Sequence, residues 1–122
     1  LKIKEISYIH AEGYSTSSLK HGPFSLLTDK FPVILISPED ENYSKNENAY
    51  QEISSRHAQI IFITDKHIQS SEKTNIIKIP RNNGFKELLS IIPIQILAYQ
   101  LSINRDINPD MPRNLAKVVT VE

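Results

Sequence analysis

Three short runs, PVILISP at 32–38, QIIFITD at 59–65 and NIIKIP at 75–80, constrain this chain more than anything else in it. Each is apolar at nearly every position rather than at every second one. A strand with one wet face alternates, whereas a strand buried on both faces reads as a continuous Val/Ile/Leu run. Prolines bound the first run, and helical patterns alternate with the strands. The chain is therefore expected to be α/β, with a parallel sheet flanked by helices.

The helical segments differ in character. Residues 39–57 are polar with sparse apolar positions at Tyr50 and Ile53, which predicts a surface helix preceded by a loop. Lys86 to Asn104 is apolar nearly all round, so burial on more than one side is expected. Pro93 should kink that helix or mark its real start. Residues 1 to about 13, LKIKEISYIHAEG, carry helical spacing with Ile6 and Ile9 but no capping residue ahead of them. An uncapped first helix and only three strands point to an incomplete N-terminus, with a first strand missing.

Composition removes several function classes. The 122 residues suit one domain. With 14 basic and 14 acidic side chains the formal net charge is zero, which argues against a nucleic-acid binder. Without cysteine there is no disulfide framework, thiolate nucleophile or Cys-based metal site. His10, His57 and His67 have no spacing that indicates metal ligation. The apolar stretch Leu88–Leu101 is interrupted by Ser90, Pro93, Gln95 and Gln100, and is too short and polar to span a membrane. A cytoplasmic domain without metal or cofactor is expected.

Three places hold candidate chemistry. On a helical wheel Lys2, Glu5, Ile6 and Ile9 share an arc of about 100°, while Lys4, Ser7 and Ala11 point elsewhere. Lys2 and Glu5 are then either a surface i,i+3 ion pair or a partly desolvated carboxylate beside an ammonium, suited to removing a carbon-bound proton. In LKHGP (19–23), Gly22-Pro23 makes a corner that leaves His21 either merely exposed or held outward to move protons or reach a neighbouring subunit. The tail MPRNLAKVVTVE is almost free of charge around Lys117. A lysine in apolar surroundings has a lowered pKa and forms Schiff bases as a neutral amine, unless it simply snorkels to solvent.

KEISYIHAE, LKHGP and PRNLAKVVTVE together closely resemble the C-terminal end of the glutamine–fructose-6-phosphate aminotransferase family, the glucosamine-6-phosphate synthases. The resemblance covers nearly the whole chain and is most specific at its two ends. It implies a sugar isomerase (SIS) domain, the second of two in that family, spanning residues 1–108 without its first strand. Residues 109–122 would be a tail that completes the active site.

By that resemblance, Lys117 matches the lysine that forms a Schiff base with C2 of open-chain fructose 6-phosphate. Glu5 matches the base that carries a proton between C1 and C2, and Lys2 a lysine that assists it. His21 matches a histidine that aids ring opening across a homodimer interface. The backbone near Ala116 would line the sugar site. Implied partners are fructose 6-phosphate, a glutaminase domain and a first SIS domain that holds the substrate phosphate; the fragment alone would then be inactive. No nucleic acid or membrane is implied. The family commonly has a glutamate where Ser18 stands, so the charge balance of the His21 loop is open to question. The alternative is a non-catalytic SIS-type module that binds a phosphosugar.

Overall fold

The computed structural model describes residues 1–115. Contacts divide the chain into two compact units, one formed by Tyr14–Ile91 and the other by Leu1–Gly13 with Ile92–Glu122. The division falls one residue before Pro93.

The larger unit contains the sheet. Strands β1 (Pro32–Ile36), β2 (Gln59–Thr64) and β3 (Thr74–Lys78) form one parallel sheet in the order β1-β2-β3. Leu35 lies opposite Phe62, and Phe62 opposite Ile76. The middle place goes to the most continuously apolar run. Ile60, Phe62, Ile63 and Thr64 of β2 are all fully buried, and the strand is hydrogen-bonded on both sides. The connection from β2 to β3, residues 65–73, has no helix. Reciprocal backbone bonds between Ser71 and Thr74, both 3.2 Å, turn the chain into β3.

One face of this sheet is covered by the helix of residues Tyr43–Ser54 and by two 3₁₀ turns, Thr16–His21 and Pro23–Leu26. Leu35, Ile53, Ala58, Ile60 and Phe62 make the core, with Leu19, Phe24, Leu27 and Tyr50 packed against it. Tyr50 meets Phe62 ring to ring at 5.2 Å, and its hydroxyl lies 3.2 Å from Thr74 Oγ1. The helix is thereby fixed to the middle strand by packing and to the edge strand by a polar contact. As expected from Tyr50 and Ile53, its remaining surface is polar.

Numbering in chain order, α1 is Lys2–Ser7, α2 the helix just described, and α3 Lys86–Ile103. Two expectations about α1 are corrected. The helix stops at Ser7 instead of running to Gly13, so Ile9 lies outside it. Ser7, placed on the outer face by the helical wheel, is the one fully buried residue of α1. Burial is tolerable because the Ser7 hydroxyl donates to the Ile3 carbonyl at 2.6 Å.

The expectations for α3 are corrected as well. The helix runs continuously through Pro93, which therefore does not mark its start. Its large apolar side chains Leu88, Ile92, Ile96 and Tyr99 are exposed in this chain, and the fully buried positions are the small Ser90, Ala98 and Ser102. Small residues let the backbone approach its neighbours closely, so burial follows side-chain size here rather than hydropathy.

All three helices run into a left-handed residue that is not glycine: Tyr8 (φ 57°), His57 (φ 62°) and Asp106 (φ 56°). After α3 the pattern is a Schellman motif, with Asp106 N–H on the Ile103 carbonyl and Ile107 N–H on that of Ser102, both at 3.0 Å. The left-handed conformation costs a non-glycine residue roughly 1–2 kcal/mol. His57 is exposed and only its backbone is engaged, its N–H donating to the Ser54 carbonyl at 2.9 Å and its carbonyl accepting from Lys73 Nζ at 3.3 Å. His57→Gly should therefore raise the unfolding free energy by about 0.5–1 kcal/mol, read as a higher urea midpoint at unchanged slope, once the added freedom of the unfolded glycine is subtracted. A lowered midpoint would refute the strain assigned to His57.

Candidate functional site

The α1 pair is formed. Lys2 Nζ stands 2.7 Å from Glu5 Oε2, with 62% of the lysine side chain exposed but only 18% of the glutamate's. Both sequence readings are thus partly realised: this is an i,i+3 ion pair, and its carboxylate is largely withdrawn from solvent while its ammonium is not. A shielded carboxylate with one cationic neighbour can accept a proton and lose it again to a substrate atom beside it. Just beyond, Lys4 Nζ binds Glu12 Oε1 at 3.0 Å, and His10 lies 3.8 Å from the same oxygen. The Lys4 ammonium holds the Glu12 carboxyl below its ordinary pKa, with a smaller contribution from His10. A depressed carboxyl stabilises the fold above its unfolded pKa and loses that effect as pH falls through the folded value.

Lys117 and Ala116 lie outside the described residues. Arg113, four positions before Lys117, is placed. Its backbone N–H donates to the Tyr8 hydroxyl at 2.7 Å, and its guanidinium sits 4.1 Å above the Tyr8 ring.

His21 belongs to the larger unit. It ends the first 3₁₀ turn and is exposed, and its side chain makes no hydrogen bond or ion pair among the described residues. The corner after it is as expected. Gly22 has φ 139°, a value side chains rarely adopt, and its carbonyl accepts from both the backbone N–H (2.9 Å) and the hydroxyl (2.7 Å) of Ser25. Pro23 opens the next turn. The charge balance of this loop is met from elsewhere. Ser18 pairs with Ser15 at 2.8 Å, and Lys20 finds its acid in Glu52 of α2 at 3.0 Å. Arg56, just beyond the end of α2, also lies 4.2 Å over Phe24.

One constellation was not anticipated from sequence. At the C-terminal ends of the strands, the Asp65 carboxylate accepts the Glu39 N–H at 2.6 Å. The Glu39 carboxylate meets Lys66 at 3.4 Å and also Arg81, while Lys86 donates to the Glu39 carbonyl. Lys66 Nζ sits 4.0 Å over the Tyr43 ring. Burial, seconded by Glu47, raises the Tyr43 phenol above its ordinary pKa. These charges come from four separate stretches, so neither spacing nor local composition marks them. The network ties the ends of β1 and β2 to the start of α3, within the larger unit.

The comparisons agree with this architecture. The SIS domain family matches residues 1–105, and the chain belongs to that family. A protein of Acanthamoeba polyphaga mimivirus, named "Probable glutamine–fructose-6-phosphate aminotransferase (isomerizing)", is 55% identical over 122 residues, which are all of this chain and 20% of that protein. The glutamine–fructose-6-phosphate aminotransferase (isomerizing) of Thermococcus kodakarensis is 46% identical over 126 residues, again across the whole chain and 20% of the relative. The chain thus spans about a fifth of the length of these relatives. Among solved structures, the C-terminal domain of the Francisella tularensis glucosamine-fructose-6-phosphate aminotransferase superposes with a TM-score of 0.81 at 31% identity, covering 90% of this chain and 32% of that one. No helix among the described residues is long and apolar enough to cross a membrane.

Asp65 separates two explanations of the strand-end network. Asp65→Asn keeps an acceptor for the Glu39 N–H, whereas Asp65→Ala leaves that donor unmet at a cost of about 1–3 kcal/mol. Chemical denaturation should therefore rank wild type above Asn and Asn clearly above Ala. Equal losses for the two variants would place the effect in the charge rather than in the hydrogen bond.

Proposed function

We propose that this chain is the C-terminal isomerase part of a glutamine–fructose-6-phosphate aminotransferase, with residues 1–108 as its second SIS domain and 109–122 as the tail that completes the site. The observation that carries this reading is similarity along the entire chain to proteins of that name, at 55% identity in the first case. The disposition of Lys2 and Glu5 supports it. The reaction joins fructose 6-phosphate and glutamine into glucosamine 6-phosphate and glutamate.

In this reading the Lys117 amine attacks C2 of the open-chain ketose, and the carbonyl oxygen leaves as water. Ammonia derived from glutamine then displaces the Lys117 amine at C2 and frees the lysine, and Glu5 removes a proton from C1 and returns one to C2, which converts the ketose imine into the 2-amino aldose. Its shielding keeps the transferred proton from exchanging freely with solvent, and the exposed Lys2 balances the carboxylate charge. His21 assists ring opening from the partner protomer of a homodimer, a role consistent with its exposure and rigid corner. The uncovered apolar side chains of α3 supply surface for packing against further parts of the protein. The substrate phosphate is held by the first SIS domain and nitrogen comes from the glutaminase domain, so the chain alone is inactive. The compartment is the cytoplasm.

The test is Glu5→Gln in the full-length enzyme. Formation of glucosamine 6-phosphate should fall at least about 100-fold, the scale of a lost general base, while glutamine hydrolysis stays near wild type. Retained sugar product would overturn the role given to Glu5 and favour a phosphosugar-binding module without catalysis.

A further inference from the structure

We infer that Tyr8 is a positioning residue that ties the tail at Arg113 to the end of the helix carrying Glu5, and through that anchor acts on the Schiff-base step assigned to Lys117; the inference rests on the reading proposed above and deepens it. Glu5 and Lys117 are far apart in sequence, so their chemistry needs a device that brings α1 and the tail together in one register. Among the described residues of the smaller unit, Tyr8 is that device.

Tyr8 follows α1 directly, and its backbone N–H closes the helix on the Lys4 carbonyl at 3.2 Å. Its backbone is left-handed, φ 57° and ψ 22°, a conformation unfavourable for a tyrosine. Strain of this kind persists only where surrounding contacts fix it. The contacts are both to one residue, 105 positions away: the hydroxyl accepts the Arg113 N–H at 2.7 Å, and the ring carries the Arg113 guanidinium at 4.1 Å. The first contact fixes the Arg113 backbone and the second its side chain. Slipping the chain by one residue breaks both, so the pair sets register as well as proximity. Asn114, next in line, is again left-handed at φ 58°.

The tether on either side is short. Glu5 lies about one helical turn before Tyr8. Only three residues lie between Arg113 and Lys117, so fixing the one restricts the reach of the other. Holding reacting groups in near-attack geometry accounts for a large part of catalysis, and small misplacements are costly.

The test uses the full-length enzyme with Tyr8→Phe, Tyr8→Ala and Lys117→Ala. Tyr8→Phe retains the ring beneath Arg113 but loses the acceptor, so kcat for sugar product should drop about fivefold. Tyr8→Ala loses both contacts and should drop roughly 30- to 100-fold, the cost of a misplaced reacting group. In both, KM for fructose 6-phosphate should stay within about twofold, because the phosphate is held elsewhere. Inactivation by borohydride in the presence of the sugar should slow in parallel with kcat, and glutamine hydrolysis should be unchanged. A purely structural role would depress hydrolysis and sugar product together, and would overturn the inference. So would wild-type kcat in both Tyr8 variants while Lys117→Ala is dead, a result that leaves the proposed function standing. Product formation by Lys117→Ala would remove the Schiff-base reading, and the role of Tyr8 with it.

Discussion

The larger unit depends on β2 being hydrogen-bonded along both edges. A strand can lie fully buried only if its backbone donors and acceptors are all met by neighbours, and β1 and β3 meet those of β2 from opposite sides. That pairing lets Ile60, Phe62, Ile63 and Thr64 leave water together. Once β2 is central, Phe62 becomes the surface on which Tyr50 and α2 dock, and α2 in turn supports the loop that carries His21 through Leu19, Phe24 and the Lys20–Glu52 pair. The loop that carries His21 thus inherits its position from the middle of the sheet. The strand-end network around Glu39 and Asp65 is a second consequence, because parallel strands bring all their C-termini to one edge.

Much of this was legible because the strands are continuous apolar runs. Their parallel direction followed from the continuous apolar runs, whereas their order came only with the structure, and only the terminal residues differ, with Pro38 and Asp65 falling outside the regular pairing. Helix ends were harder to read. The usual sign is glycine in the left-handed position, and this chain puts Tyr8, His57 and Asp106 there instead. A reader waiting for Gly13 lets α1 run too long and places Ser7 on the wrong face. For α3, hydropathy pointed at the large residues, whereas the backbone approaches its surroundings at Ser90, Ala98 and Ser102.

The candidate site divides in the same way. Lys2 and Glu5 are three apart on a helix, so their pairing is a local fact that spacing can reveal. The Gly22-Pro23 corner is equally local. The partner of Lys20, the strand-end charges and the Tyr8–Arg113 contact join residues distant in sequence, and no period or motif encodes them. A six-residue helix has little stability of its own. The end of α1 is anchored by the Tyr8–Arg113 contact, and that anchor is visible only in three dimensions.

The central claim is that Lys117 supplies the covalent attachment for the sugar in the site to which Glu5 belongs. The most direct measurement is to incubate the full-length enzyme with fructose 6-phosphate labelled with carbon-13 at C2, reduce with borohydride and map the modified peptide by mass spectrometry. The account predicts one labelled sugar per chain, attached through C2 to Lys117. Labelling at another lysine, or no label at saturating sugar, would contradict it.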